Sequence, residues 1–289
     1  MAISLGGGGS ASQVNETIDI NSAENLITLE DGRVYLKGGA TESDTTTYPD
    51  ATTKFAYSGT SFSHSSQGSD ARDITWDGTY FWVLDGGTRV FKYNSAGVYQ
   101  NFNFYMGTTD GSPWGLTWDG SHLWIAGDAN NTIYKFTTAG VLVSSFSVAS
   151  QGTAPLGITW DGTYLWVLDQ NTDRVFKYNT SGVYQNVSFS TANQDGNPYG
   201  IAWDGTYFWM LGTTADKAYK YTAAGVYTGE SFGTGSQDTN PAGIESVGSD
   251  LWAVGGATDS AYKYSPQIGV ASEAGTNLTE GKQNYVRIK

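Results

Sequence analysis

The chain has 289 residues, of which 39% are hydrophobic and 14% aromatic, with 38 Gly and no Cys. That length supports one large domain with appendages and a substantial core, and the lack of Cys excludes disulfides and thiolate metal sites. A formal net charge of −13 opposes nucleic acid and anionic lipid, which clustered Lys and Arg would hold, and no stretch approaches the roughly 18 apolar residues of a membrane span.

In chain order, residues 1–52 open with a Gly-rich leader, SLGGGGSASQ from Ser4, without the basic start and apolar run of a secretory signal. ITLEDGRVYL from Ile27 then reads as a hairpin with Asp31-Gly32 as its turn. The segment from Lys54 to Ser63, KFAYSGTSFS, is a strand with no companion before it.

From Ile74 one pattern takes over: apolar-x-Trp-Asp-Gly-Thr/Ser-aromatic-apolar-Trp. It reads ITWDGTYFW at Ile74, LTWDGSHLW at Leu116, ITWDGTYLW at Ile158, IAWDGTYFW at Ile201 and a degenerate IESVGSDLW at Ile244. The second Trp of each copy, at Trp82, Trp124, Trp166, Trp209 and Trp252, recurs at spacings of 42, 42, 43 and 43. A period of this size with four short strands per unit predicts propeller blades. Each Asp-Gly dipeptide is a tight turn from the innermost strand, a, to strand b. Strand c follows with an aromatic-Lys-aromatic triplet, such as Phe91-Lys92-Tyr93, whose two aromatics share a face. Gly97, Gly140, Gly182 and Gly225 close the turn into strand d.

The fifth copy has strands a, b and c, then departs after Tyr264 into Ser-Pro-Gln-Ile-Gly. Phe62 precedes Trp76 by 14 residues, as Phe104 precedes Trp118, so the unpaired Lys54 segment is the missing strand d. Pairing the two closes an all-β, five-bladed β-propeller over residues 53–265 and removes two sheet edges. This connectivity sends residues 1–52 and 266–289 out on the face of the a–b and c–d turns. NYVRIK from Asn284 alternates like a further strand, and the C-terminal extension is expected to pack with the N-terminal segment, for attachment or homo-oligomerisation.

The opposite, top face carries the loops in which the copies differ. The d–a loops present Asp110, Gln194, Asp195, Gln237 and Asp238, with Trp114 and Tyr199 just after their prolines, and the b–c loops add Asp85, Asp128 and Asp169. An aromatic plate beside amides and carboxylates suits sugars, because the ring stacks on C–H faces while polar groups take hydroxyls. The competing account is that Asp and Asn cap these loops locally and Trp114 fills a gap between blades.

Catalytic patterns are sparse. Only His64 and His122 exist, and His122 takes the place of Tyr80, Tyr164 and Tyr207. Zinc and Ser-His-Asp chemistry thus have little to work with, and no phosphate-loop, nucleophile-elbow or calcium-loop pattern occurs. Five-bladed glycosidases similar to the arabinanase families surround the pore with acids, whereas here the inner strands offer only Asp73 and Glu245. The expectation is therefore a protein that is not an enzyme, with no cofactor and no metal. A polysaccharide-degrading enzyme ranks third among the readings.

SLGGGGSASQVN from Ser4, LEDGRVYLKGG from Leu29, YPDA from Tyr48 and the terminal NYVRIK resemble the small tail and fibre proteins of tailed bacteriophages. The resemblance covers roughly the first 52 residues and the last six. It implies an extracellular virion location in the phage tail, other tail proteins as partners through residues 1–52 and 266–289, and a homo-oligomer. The propeller is similar to five-bladed lectins such as tachylectin in blade number and aromatic repeats, without a match to their sugar sites. Two functions follow as expectations: binding of a host receptor or surface glycan through the top-face loops, or a structural tail or decoration subunit without a ligand.

Overall fold

A computed structural model describes residues 54–267, together with the strand backbone of residues 26–28 and 34–36. Among the described residues every regular element is a β-strand. The propeller unit spans Phe55–Pro266. In the other unit, β1 (Leu26–Thr28) pairs antiparallel with β2 (Val34–Leu36), Ile27 facing Tyr35. The NYVRIK segment lies outside the described residues.

The predicted ring is the observed one. After β3 (Lys54–Ser63), blade one holds β4 (Ala71–Trp76), β5 (Tyr80–Asp85), β6 (Arg89–Asn94) and β7 (Tyr99–Tyr105). Blade two holds β8 (Pro113–Trp118), β9 (Leu123–Gly127), β10 (Thr132–Phe136) and β11 (Leu142–Ser147). Blade three holds β12 (Pro155–Trp160), β13 (Leu165–Asp169), β14 (Arg174–Tyr178) and β15 (Tyr184–Ser190). Blade four holds β16 (Pro198–Trp203), β17 (Tyr207–Gly212), β18 (Lys217–Thr222) and β19 (Tyr227–Gly233). Blade five is β20 (Pro241–Val247), β21 (Asp250–Gly255) and β22 (Ser260–Gln267), completed by β3 at its outer edge.

Blades one to four repeat one local solution. The Asp-Gly turn needs a left-handed residue, and Gly162 adopts φ of 95° there, which Gly takes without steric penalty. The turn Asp is fixed in place by its own blade. Asp161 accepts the Thr163 and Tyr164 amides at 2.8 and 2.7 Å, and its other oxygen takes the indole N–H of Trp166 at 2.7 Å. Lys177 lies 3.9 Å over the Tyr164 ring, a cation–π contact. In blade two His122 removes that ring, and Lys135 instead reaches Asp119 at 3.6 Å.

The core divides into five apolar clusters, one at each junction between blades. Trp82, Leu84 and Phe104 of blade one meet Leu116, Ile125 and Phe136 of blade two. At the closing junction Phe62 joins Ile74, Phe81 and Tyr93 of blade one and Trp252 and Val254 of blade five. The inner strands β4, β8, β12, β16 and β20 neighbour one another in that order and line the axis.

Candidate functional site

Every inner strand starts the same way, and that start builds the top mouth of the axial channel. In all five blades the pairing of strand a with strand b slips by one residue at its second position, between Ala71 and Asp73, Pro113 and Gly115, Pro155 and Gly157, Pro198 and Gly200, and Pro241 and Gly243. A bulge of this kind re-aims the extra side chain. The residues at these bulges are Arg72, Trp114, Leu156, Tyr199 and Ala242. In blades two to five a glycine follows the bulge and is required by close approach: a Cβ on Gly115 would meet the Leu156 carbonyl at 2.5 Å, and one on Gly157 the Tyr199 carbonyl at 2.7 Å.

Trp114 and Tyr199, from blades that are not neighbours, meet across the mouth with ring centroids 5.2 Å apart and planes at 66°. Their edge-to-face geometry is the favoured one for two quadrupoles. The Arg72 guanidinium lies 4.0 Å over the Trp114 ring, and donates to the Pro113 carbonyl at 2.9 Å and to Asp70 at 3.0 Å. A chain of contacts, Asp70 to Arg72 to Trp114 to Tyr199, therefore spans the mouth. Leu156 and Ala242 are buried beside it, while Arg72, Trp114 and Tyr199 keep part of their surface open.

Five of the acidic candidates do a common job. Each blade places one carboxylate between its b–c loop and the neighbouring d–a loop, supplied by Asp85, Asp110, Asp169, Asp195 or Asp238, all buried. Where the Asp comes from one loop, the facing residue is Gly: Cβ atoms on Gly68, Gly127, Gly152, Gly212 and Gly255 would each fall within 2.6 Å of that carboxylate. Asp169 accepts the Ala154 amide at 2.6 Å and the Thr172 amide at 2.9 Å. Asp238 likewise takes the Asn240 and Thr258 amides at 2.7 and 3.0 Å. These hydrogen bonds satisfy loop amides that no strand partner reaches. Gln194 and Gln237 accept the Tyr221 and Tyr264 hydroxyls at 2.8 and 3.4 Å. Such bonds tie these seven candidates to the scaffold beneath the loops.

Asp128 differs. It is half-buried at the start of the blade-two b–c loop, its amide donating to the Ser112 carbonyl at 2.9 Å. The same Ser112 accepts the Trp114 indole N–H at 3.2 Å. Burial pushes the Asp128 carboxyl up, the charges of Asp110 and Asp169 add to that, and Arg72 opposes it. The blade-three and blade-four counterparts of Asp128 are Gln170 and Thr213. Gln170 donates to Asn197, whose own amide nitrogen donates to the Thr213 hydroxyl at 2.6 Å.

Below the mouth, Asp73 and Glu245 interrupt the inner lining. Asp73 is buried and accepts the Leu116 amide of blade two at 2.7 Å and its neighbour Ile74 amide at 2.8 Å. Burial raises its pKa well above the ordinary value, and the nearby Glu245 charge adds to this. Glu245 accepts the Thr75 hydroxyl at 2.7 Å and the Ser246 amide at 2.9 Å. Burial raises it to about 7. Among the described residues no three His, Asp or Glu side chains converge as a metal ion requires.

The structure thus joins Trp114, Tyr199 and Asp128 at the mouth and sets the other candidates under the loops. Arg72, Gln170 and Asn197 belong to the same mouth and were not among the predicted site residues. The signal for Arg72 lay in the repeat itself, because the residue between the strand-opening position and Gly is the one inner-strand column that never repeats.

No known protein family matches the sequence, and no curated protein resembles it. Among solved structures, a glutaminyl cyclase from Myxococcus xanthus superposes with a TM-score of 0.57 at 11% identity, over 71% of this chain and 93% of that one. A streptogramin B lyase matches at 18% identity and a TM-score of 0.46, over 87% and 83%. A catalytically inactive virginiamycin B lyase from Staphylococcus aureus matches at 19% and 0.45, over 83% and 79%. The cyclase match corrects the expectation that the chain is not an enzyme: a ring of this fold also occurs in an enzyme, so the fold does not exclude catalysis. At such identities the shared property is the propeller fold.

Proposed function

We propose that this protein is a binding module whose top-face mouth, centred on Trp114, Tyr199 and Asp128, takes a host surface glycan or receptor. The observation that carries this reading is where the repeat breaks. Turn aspartates, the Trp and Tyr ladders and the loop clamps recur from blade to blade, whereas Arg72, Trp114, Leu156, Tyr199 and Ala242 all differ at equivalent bulges. A spacer has no need of five different side chains at one point on its axis. Exposed aromatic surface beside amides is suited to sugar rings. The resemblance of the flanks to tail proteins supports a setting on a bacteriophage tail, with residues 1–52 and 266–289 as the attachment side.

Retention on host-type cells and on a glycan array, compared with a Trp114→Ala/Tyr199→Ala double variant of matched thermal stability, tests the reading. Specific retention that the variant loses supports it. A folded wild-type protein retained by neither surface favours a structural part of the tail, a role that the near-identity of blades one and three would suit.

A further inference from the structure

Resting on the glycan-binding reading, we infer that the mouth selects a glycan carrying a protonated amine, with Asp128 as the residue that receives it. Asp128 is the mouth carboxylate left without a donor among the described residues. Asp70 is taken by Arg72 at 3.0 Å, and Asp110 and Asp169 are filled by loop amides and hydroxyls. The side chain of Asp128 has no such bond. It stands half-buried among like charges, since Asp110 and Asp169 both act on it and Arg72 is its one attractive neighbour.

Arg72 offsets this carboxylate only in part, because its guanidinium is committed to Asp70, to the Pro113 carbonyl and to the Trp114 face. A half-desolvated acid without a donor is stabilised by an incoming cation more than a solvated one is. Ser112 holds the Asp128 backbone and the Trp114 indole to one point. A sugar ring lying on the exposed aromatic surface thereby brings a ring substituent to the carboxylate. The amides of Gln170 and Asn197 on the next two blades suit uncharged hydroxyls. The overall charge of −13 adds long-range attraction for a cationic polymer and repulsion for an acidic one.

The test uses the full chain and two probes of equal length, a fully deacetylated and a fully N-acetylated glucosamine oligomer, titrated by calorimetry in mildly acidic, low-salt buffer. The expected result is a preference of roughly twofold to fivefold for the free amine, the range of one partly exposed charge pair, shrinking as salt is added. Asp128→Asn should abolish the preference, chiefly by weakening the deacetylated oligomer, while leaving the melting temperature unchanged. Trp114→Ala should weaken both oligomers. Equal binding of the two by wild type, a preference that survives Asp128→Asn, or binding of neither overturns the inference. If neither oligomer binds but the array retains the protein on other neutral glycans through Trp114 and Tyr199, the glycan reading stands and only the amine selection falls.

Discussion

The closing blade and the four continuous blades reach the same shape by different means. In blades one to four a short turn carries strand c directly into strand d. At Asn94, for example, the side chain accepts the Ala96 and Val98 amides at 3.0 and 2.9 Å and sets the turn. Blade five has no such turn, and β3 comes to it from more than 190 residues earlier in the chain. What connectivity fixes elsewhere, side chains fix here. Phe55 meets Trp209 and Phe232 at 5.0 and 5.4 Å, Tyr57 meets Tyr262 at 5.7 Å, and Phe62 meets Tyr93 and Trp252 at 5.3 and 5.7 Å. Polar groups also gather around this closure. His64, Asp73 and Glu245 stand where other blades have Met106, Val148, Thr191 or Thr234, glycines, and Thr117 or Ala202. Directional hydrogen bonds tolerate less slippage than apolar contact, so those of His64 to Tyr93 and Asp85 help register β3, which no turn holds in place.

The harshest break is removal of β3. A chain beginning after Ser63 leaves β22 as an open edge and uncovers the rings that Phe55 and Phe62 cover. The expected outcome is loss of cooperative unfolding and aggregation, read by calorimetry and gel filtration. Retention of a sharp melt would show that four blades and a half suffice. A milder break is Phe62→Ala against Phe104→Ala, the equivalent position in blade one. Each should cost roughly 3–5 kcal/mol in urea unfolding. Phe62→Ala is expected to cost more, because its ring meets three others, Phe81, Tyr93 and Trp252, whereas Phe104 meets the Phe136 ring. Equal losses would make the closing junction no different from the rest.

Glu245 sharpens the comparison through pH. Its folded pKa of about 7 lies above the ordinary 4.5, so the native state binds the proton more tightly than the unfolded chain. That contribution is fully present below about 4.5 and is lost as pH rises through about 7, amounting to about 3 kcal/mol between those limits. Asp73, raised by burial, acts with the same sign. Glu245→Gln keeps an acceptor for Thr75 and removes the titration. Relative to wild type, the variant should therefore gain stability as pH rises from 5 toward 8, by a thermal-melt series. Parallel curves for the two proteins would place Glu245 in contact with bulk water.

The ring was legible because its determinants are local and repeated. Asp77 to Trp82 carries its own turn, its own hydrogen bond at 2.7 Å and its own strand boundary, so one copy explains four. The missing strand d was legible from the Phe62 spacing alone. The mouth was harder to read. Trp114 and Tyr199 lie 85 positions apart, and their contact exists only because each bulge turns its residue toward the axis. The acidic candidates were ambiguous for a physical reason: a loop Asp has the same letter whether it faces solvent or clamps amides. The alternation of Asp with Gly, as at Asp85 with Gly68 and Asp110 with Gly127, was the trace that separates the two cases.

The smallest expected effect belongs to His64→Met, which turns the closing position into that of Met106. His64 is buried, its Nδ1 2.6 Å from the Tyr93 hydroxyl and its Nε2 donating to Asp85 at 3.1 Å. Met106 is fully buried at the equivalent place, so Met fits the volume and its thioether offers soft contact with the Phe91 and Tyr93 rings. The loss is thus confined to two hydrogen bonds, about 1 kcal/mol near neutrality. Burial would raise the Asp85 carboxyl, but the hydrogen bond from His64, together with the Gly87 and Asp70 amides, brings it below the ordinary value. A lowered carboxylate stabilises the fold above its unfolded pKa and stops doing so as pH falls through its folded one. Without His64 the Asp85 pKa rises toward what burial imposes. The variant should then unfold at a higher pH than wild type in an acid titration, and its deficit should persist through neutral and alkaline pH, where the carboxylate is ionised. Coincident acid limbs would mean that the two amides hold the Asp85 carboxylate unaided and that His64 serves the closure by volume alone.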